Sequence, residues 1–417
     1  PVTLELPVLY VVWPCDKPFP ADMDYEVLYD VFLPQAPTAS QKAQGLSAEA
    51  LHVLESMAID TIRHTGDIGR YPSGIISCYD NYLNKYVPLV YLTVRFSLGS
   101  NIYEVKTDYN GYFSFKDPIF DNAVLSFVFD GLDGWKITSG GSSATIIESR
   151  GTYKSLRGSS IRDFDIQVNS SSVPDPRYEI YRAVGFYFYG LRTSYGSSSL
   201  LHLPEIDRFV DSTTGGMRIE AHTAAIQEGE GVFKSFLGNA HYIKIGNVNR
   251  NNHPRLMGTI LHEMGHYTQF WIHRGYNHYN DIPKLLKESW ASYAGWYMGE
   301  LYYSVQRLLP IPFEDDITRQ ARQSWHPAMA NPYYYYSPLF VDLRDNYNQC
   351  ERLNNSRYAN DAIKNVPYSL INKLARESSW TGVKKVLREH ISSGYYTETQ
   401  LNDFLVQWDK YFAANPL

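Results

Sequence analysis

Residues 259–270, TILHEMGHYTQF, carry two histidines four residues apart and a glutamate directly after the first histidine. Pro254 suits the first position of a helix, and apolar residues recur after it at helical spacing, so we expect a buried amphipathic helix. His262 and His266 then lie one turn apart on the same face. Because buried imidazoles and carboxylates are costly without partners, this helix must meet polar groups or a metal ion inside the protein.

Two imidazoles at this spacing can bind one tetrahedral metal ion without distorting the helix. Glu263 points away from the line that joins the two histidines, which places it near a water molecule at the metal and suits a general base. The alternative is an ordinary buried helix whose polar side chains are satisfied within the core, because so short a motif also arises by chance. A third ligand would decide between these interpretations.

The sequence excludes one common spacing for that third ligand. The metzincin pattern requires a glycine at position 269 and a histidine at position 272, and this chain has Gln269 and Ile272 there. His273 comes one residue late and would point in another direction on a continuing helix. His273 and His278 therefore stay only as remote candidates.

Glu288 is the better candidate for the third ligand. It lies in a second segment with helical periodicity, which begins at Pro283, and its neighbours are mostly apolar. A glutamate in such surroundings is costly unless a cation lies beside it. Close packing of this helix against the first is expected from small residues, namely Ser289, Ala291, Ser292 and Ala294. The alternative is a surface Glu288 that pairs with Lys284 one turn earlier.

The chain from residue 71 to residue 150 has a different pattern, with short runs rich in β-branched and aromatic residues between turn residues. Asn110-Gly111 predicts a tight hairpin, because both central residues of a type I′ turn need positive φ. We expect an antiparallel sandwich of about seven strands. The stretch VPLVYLTVRF…EVKTDYNGYFSF resembles the carboxypeptidase-regulatory type of β-sandwich, which implies a folding or spacer module, most often in exported bacterial proteins.

The predicted fold class is α+β with several domains, since 417 residues exceed what one core usually supports. We divide the chain into an N-terminal strand and helix segment (1–70), the β-sandwich (71–150) and a third domain (151–417). In the third domain an α/β upper part precedes a mainly α-helical lower part.

Further elements follow from local periodicity. We predict helices at 48–64, near 175–190 and near 204–210, and strands at 217–222 and 241–248.

The two helices with the histidines and Glu288 resemble the gluzincin group of zinc metallopeptidases, in which His-Glu-x-x-His lies on one helix and an E-x-x-A helix follows. The resemblance covers roughly residue 217 to the C-terminus and implies a zincin-like catalytic domain. It implies that His262, His266 and Glu288 bind one Zn²⁺ and that Glu263 is the general base. HEMGHYTQ is also similar to the branch of these enzymes that acts on mucins and glycoproteins.

The chain departs from the thermolysin type in one respect. That type usually has an aspartate four residues after the glutamate ligand, which orients a histidine, and this chain has Ser292 there. Another group must then support the ligands. Asp281, Asp342 and Asp345 are the candidates.

A peptidase of this type also needs a donor that stabilises the oxyanion. The segment HPAMANPYYYYSPLFVDLRD contains His326, a run of four tyrosines and Arg344. We select Tyr336 from the run as the candidate catalytic donor, and the alternative is that it lines the core or a groove. By analogy, the strand at 241–248 is expected to be the edge strand that pairs with an extended substrate.

Composition narrows the partners and the compartment. The net charge is −6 and the chain has no long runs of Lys or Arg, so the sequence does not indicate a nucleic-acid-binding surface. The sequence contains no stretch of about 18 apolar residues, so we predict no transmembrane helix. Three cysteines exclude a disulfide-dense scaffold, and either a Cys15–Cys78 bridge or three unpaired thiols stays open. Because the chain begins at Pro1, we expect an exported protein, secreted, periplasmic or at the cell surface, whose signal has been removed.

These observations favour a monomeric zinc peptidase that hydrolyses peptide, protein or glycoprotein substrates. The alternative is a non-catalytic surface-binding protein that keeps a structural metal and uses the β-sandwich and an aromatic groove. A water in the fourth coordination position would support the first hypothesis, and a closed four-ligand site would support the second.

Overall fold

The computed structural model describes residues 71–117, 119, 122–131, 134–140, 144–152, 164–168, 175–190, 217–222, 231–234, 242–246, 253–273, 276–307, 339–345 and 362–414. All of them belong to one compact unit, Gly66–Leu417. The predicted segment 1–70 with its helix, the predicted helix 204–210 and Tyr336 lie outside the described residues.

Before residue 170, the named elements among the described residues of this unit are strands. They are β1 (Ser73–Asp80), β2 (Lys85–Pro88), β3 (Thr93–Leu98), β4 (Asn101–Lys106), β5 (Tyr112–Ser114), β6 (Val124–Val128), β7 (Lys136–Ser139), β8 (Ile147–Thr152) and β9 (Phe164–Val168). An antiparallel sheet has the order β4-β3-β6-β8, and its inward residues, such as Val94, Phe96 and Phe127, are fully buried.

The turn at Asn110-Gly111 is present, but it does not close a two-stranded hairpin. Gly111 has the positive φ of 75°, and Asp108 Oδ1 accepts the backbone N–H groups of Asn110 and Tyr112 at 2.8 and 2.9 Å. The strands on either side pair elsewhere, because β4 pairs with β3 while β5 pairs with β1. The turn therefore connects two sheets. The buried thiol of Cys78 lies in β1, and Cys15 lies outside the described residues.

A mixed sheet follows, in the order β11-β12-β10-β7, with β10 (Arg218–Ala221), β11 (Gly231–Lys234) and β12 (Tyr242–Ile245). The strands predicted at 217–222 and 241–248 are thus confirmed as β10 and β12. β10 runs parallel to β7 and β12, and β11 runs antiparallel to β12. Ile137, Ile219 and Ile243 are register partners with no exposed surface, so this face of the sheet is covered.

Two pairings cross residue 150, where we placed a domain boundary. β7 belongs to the mixed sheet with β10, and β1 pairs in parallel with β9. Of the strands predicted as one antiparallel sandwich, β1 and β7 therefore also pair with strands from later in the sequence. The described fold is α+β with both antiparallel and parallel pairing.

One helix lies between β9 and β10, and the other described α-helices follow β12 along the chain. The helices are α1 (Pro176–Gly185), continued by a π-helical turn (Phe186–Gly190), then α2 (His253–Ile272), α3 (Tyr276–Asn280), α4 (Lys284–Arg307), α5 (Leu339–Asp342), α6 (Tyr368–Ala375), α7 (Trp380–Glu389) and α8 (Glu398–Ala414). Asp175 caps α1 by accepting the N–H of Arg177 at 2.9 Å. Among the described helices, none has the length and apolar character that crossing a membrane requires.

Helix α2 packs between the mixed sheet and α4. The two helices approach closely at glycines: a Cβ added at Gly265 would lie 2.8 Å from Ala291 Cα, and one at Gly295 would lie 2.9 Å from the Gly258 carbonyl oxygen. Trp290 Nε1 donates a hydrogen bond to the Gly265 carbonyl at 3.0 Å. The prediction that small residues allow close packing is confirmed at Ala291.

Candidate metal centre

Three predicted ligands, His262, His266 and Glu288, converge from two helices. Their ligand atoms all lie within 4.8 Å of one another. Glu288 Oε2 of α4 lies 3.3 Å from His262 Nε2 and 3.4 Å from His266 Nε2 of α2. The two imidazole rings have centroids 4.8 Å apart and are nearly perpendicular, at 87°. The two Nε2 atoms and the carboxylate thus lie close enough together for one ion to contact all three.

The chemistry of these three groups fits a metal ion. Glu288 Oε2 is buried and has no hydrogen-bond partner within the described part of the chain, although both imidazoles are near it. A cation between the three groups would satisfy this oxygen, and two histidines with one carboxylate are a common zinc ligand set. The Glu288 side chain is only 15% exposed, so the alternative of a surface residue does not hold.

The charge of Glu288 also suits ligation. Burial raises the pKa of this carboxyl, but the neighbouring imidazoles of His266 and His262 lower the pKa more, and the net pKa is well below its ordinary value. The group is therefore ionised at neutral pH. An ionised carboxylate is what a metal ion needs as a ligand.

Glu263 lies beside this cluster in a different environment. It is 4% exposed and accepts the backbone N–H of Phe233 in β11. Burial raises the pKa of Glu263 to about 7, with a further rise from Glu288 and a partial offset from His262. A carboxylate with a pKa near neutrality can both accept and release a proton at physiological pH.

Strand β11 covers Glu263 because residue 231 is a glycine. A Cβ added at Gly231 would lie 3.0 Å from Glu263 Cγ and 2.9 Å from Thr259 Cγ2. β11 also lies at the end of the mixed sheet, while β12 lies between β11 and β10. The expectation that residues 241–248 form the edge strand is therefore wrong. Among the described strands, that position is occupied by β11, which has four residues, as β12 does, and begins with a glycine.

Sequence reasoning missed the side chain that supports His266. Tyr279 Oη of α3 lies 3.1 Å from His266 Nδ1, and the tyrosine is 6% exposed. The sequence favours Asp281, Asp342 and Asp345 for this role; Asp281 is exposed, and Asp342 and Asp345 are buried at the end of α5 and just after it. No local pattern marks Tyr279, because its position depends on how α3 folds back over α2.

Two remaining histidine candidates lie in other environments. His273 Nε2 lies 3.0 Å from the Ala375 carbonyl oxygen at the end of α6, and burial lowers the pKa of His273. The His278 side chain is exposed. Tyr336, the candidate oxyanion donor, lies outside the described residues and its role stays a prediction.

A second group with metal-binding side chains, Asp80, Glu179 and His253, is also buried. Here a cation of the protein is already present. Arg182 Nη2 lies 2.7 Å from Asp80 Oδ2 and 2.6 Å from both carboxylate oxygens of Glu179. The Asn81 N–H donates to His253 Nδ1 at 3.2 Å. We interpret this group as a structural ion network that joins β1, α1 and the start of α2.

Comparisons with known proteins do not assign the chain to a family. No family model matches the chain, and no curated protein matches it. Among solved structures, the crystal structure of a 9R-lipoxygenase from Cyanothece PCC8801 is similar over 33% of this chain and 26% of that chain, with 13% sequence identity and a TM-score of 0.15. A match that spans so small a part of the lipoxygenase, at this TM-score, carries no argument. The site itself defines a candidate metal-binding group of two histidines and a glutamate.

Proposed function

We propose that the protein is a zinc-dependent peptidase that hydrolyses peptide bonds in protein or glycoprotein substrates. The observation that carries the proposal is the convergence of His262, His266 and Glu288, with the buried Glu263 beside them. Bound by these three ligands, a zinc ion would supply a Lewis acid and a water molecule of lowered pKa. The gluzincin resemblance of the two helices agrees with this assignment.

Glu263 is the group that moves protons in this proposal. Its carboxylate accepts a proton from the attacking water and then delivers it to the amine that leaves when the peptide bond breaks. Without a metal ion, burial raises the pKa of Glu263 to about 7, and a bound cation would lower this pKa, so that the carboxylate, which accepts the first proton, would be the main form near neutral pH. The Phe233 N–H holds the carboxylate in place.

The edge strand β11 is proposed to bind the substrate. Among the described strands it pairs on one side only, with β12, and it runs directly over Glu263. An extended peptide can add to such an edge through backbone hydrogen bonds, which would lay the scissile bond near the base. This mode of binding agrees with a peptide as substrate. Export, a monomeric state and a lack of affinity for nucleic acid remain expectations from the sequence.

The proposal is tested by metal analysis combined with peptide cleavage. Purified wild-type protein is expected to hold zinc at one ion per chain, and His262→Ala is expected to lose it. Glu263→Gln should keep the zinc and cleave a peptide library about 10²–10⁴-fold more slowly than wild type. A wild type without stoichiometric zinc contradicts the metal assignment, and unchanged cleavage by Glu263→Gln contradicts the assigned base.

The same experiment separates the peptidase from a binding protein with a structural metal. A wild type that holds zinc but cleaves no peptide in the library would favour the binding protein. Glu263→Gln changes the base without changing the metal site, because glutamine keeps the shape of the side chain and the three proposed ligands stay intact.

A further inference from the structure

Tyr279 is held rigidly beside the metal centre. Its ring centroid lies 5.6 Å from that of Phe270 in α2 and 6.0 Å from that of Phe233 in β11. The Lys287 ammonium group of α4 lies 5.0 Å from the centre of the same ring. These contacts come from three different elements and fix the direction of the hydroxyl group. That direction is towards His266 Nδ1, at 3.1 Å.

The two ring nitrogens of His266 face two different groups. Nε2 faces Glu288 Oε2 at 3.4 Å, and Nδ1 faces the Tyr279 hydroxyl. When Nε2 gives its lone pair to a metal ion, the neutral imidazole carries its proton on Nδ1 and needs an acceptor there. The phenol oxygen of Tyr279 can accept a hydrogen bond from this Nδ1–H group.

A hydroxyl differs from the carboxylate usual at this position in one chemical respect. A carboxylate only accepts hydrogen bonds, whereas a phenol both donates and accepts. Tyr279 can therefore donate to Nδ1 while Nε2–H faces Glu288, and can accept from Nδ1 once Nε2 is a ligand. The imidazole keeps its orientation in both tautomers, and no additional buried charge is required.

We propose that Tyr279 is a positioning residue, which orients His266 through its hydroxyl group and accepts a hydrogen bond from Nδ1–H when Nε2 binds a metal ion. The inference rests on the proposed metal site and goes beyond it by assigning a neutral supporting group from α3. Loss of such a supporting group typically weakens metal binding about 10–100-fold.

The test is Tyr279→Phe, which removes the hydroxyl and keeps the ring. Zn²⁺ affinity is measured on metal-free protein by competition with a chromophoric chelator. The matched control is Tyr187→Phe, since the Tyr187 hydroxyl is also buried and also bonds to a residue of α2, Thr268, which lies two residues after His266 and on the other side of the helix. We expect Zn²⁺ binding about 10–100-fold weaker in Tyr279→Phe and close to wild type in Tyr187→Phe.

A second readout separates positioning from general stability. Cobalt(II), bound in place of zinc, has a visible absorption spectrum that depends on ligand geometry, and we expect it to change in Tyr279→Phe alone. The denaturation midpoints of metal-free Tyr279→Phe and metal-free Tyr187→Phe are expected to differ from that of wild type by similar amounts. Equal zinc affinities, or equal losses in both variants, would overturn the role of Tyr279. A wild type that binds no zinc would instead overturn the proposed metal centre together with this inference.

Discussion

Replacing Gly295 by alanine tests whether the close approach of α2 and α4 holds the candidate metal centre together. The added Cβ would lie 2.9 Å from the Gly258 carbonyl oxygen, 3.2 Å from His262 N and 3.3 Å from His262 Cα. All three are backbone atoms, so no flexible side chain can move aside, and the helices must separate by several tenths of an ångström. The displaced backbone belongs to a proposed ligand, while Glu288 moves with the other helix.

The expected cost follows from two opposing effects. Overpacking in a close-packed core costs about 1–3 kcal/mol. Alanine in place of glycine inside a helix stabilises the folded protein by about 1 kcal/mol. Gly258→Ala is the matched control, because a Cβ at Gly258 meets nothing within 4 Å and should therefore give only the gain. The free energies of unfolding of the two variants should thus differ by about 1–3 kcal/mol.

Urea denaturation of the metal-free variants measures this difference, and chelator competition measures zinc affinity. We expect Gly295→Ala to be less stable than Gly258→Ala and to bind zinc more weakly, because its two ligand-bearing helices no longer keep their spacing. If both variants match in stability and in zinc affinity, the reasoning from helix spacing is refuted.

Three further outcomes are expected. Metal-free Glu263→Gln should exceed metal-free wild type in its free energy of unfolding by at most about 3 kcal/mol at pH 8 and match it near pH 4. The folded-state pKa of Glu263, about 7, lies above the ordinary 4.5, so the stability that the protonated glutamate contributes is lost as the pH rises through this window. The same difference between the two proteins at both pH values, measured by urea denaturation, would contradict this. Arg182→Leu should cost about 3–5 kcal/mol in the free energy of unfolding, since two buried carboxylates lose their cation. Arg95→Leu, at a more exposed pair with Glu104, should cost less than about 1 kcal/mol, and equal costs would contradict the structural role of the ion network. Gly231→Ala should reduce peptide cleavage while zinc affinity stays near wild type, because the added methyl group presses on the base and not on the ligands; a matching loss of zinc would count against that assignment.

The helices of the candidate site could be predicted because their information is local. Apolar residues at helical spacing and the prolines at the starts marked α2 and α4, and the cost of burying Glu288 pointed to a partner for it. The structure brings Glu288 to His262 and His266 as that argument requires.

The features that were missed depend on contacts between distant segments. Tyr279 reaches His266 only because α3 folds back over α2, and periodicity within a short helix cannot show this. The edge position of β11 and the pairing of β7 with β10 are likewise properties of the assembled sheet. At Asn110-Gly111 the turn was predictable from its residues, and the partners of the two strands were not.

The ion network at the start of α2 has a geometric consequence for the centre more than two turns away. His253 is the first residue of α2, and it is held by the Asn81 N–H and lies 3.8 Å from Glu179 Oε2. Each residue of a helix advances the rotation by about 100°, so a start shifted by one residue would turn the imidazoles of His262 and His266 about a quarter of the way around the axis. The network therefore acts together with the packing against α4 and β11 to set which face of the helix is turned towards Glu288.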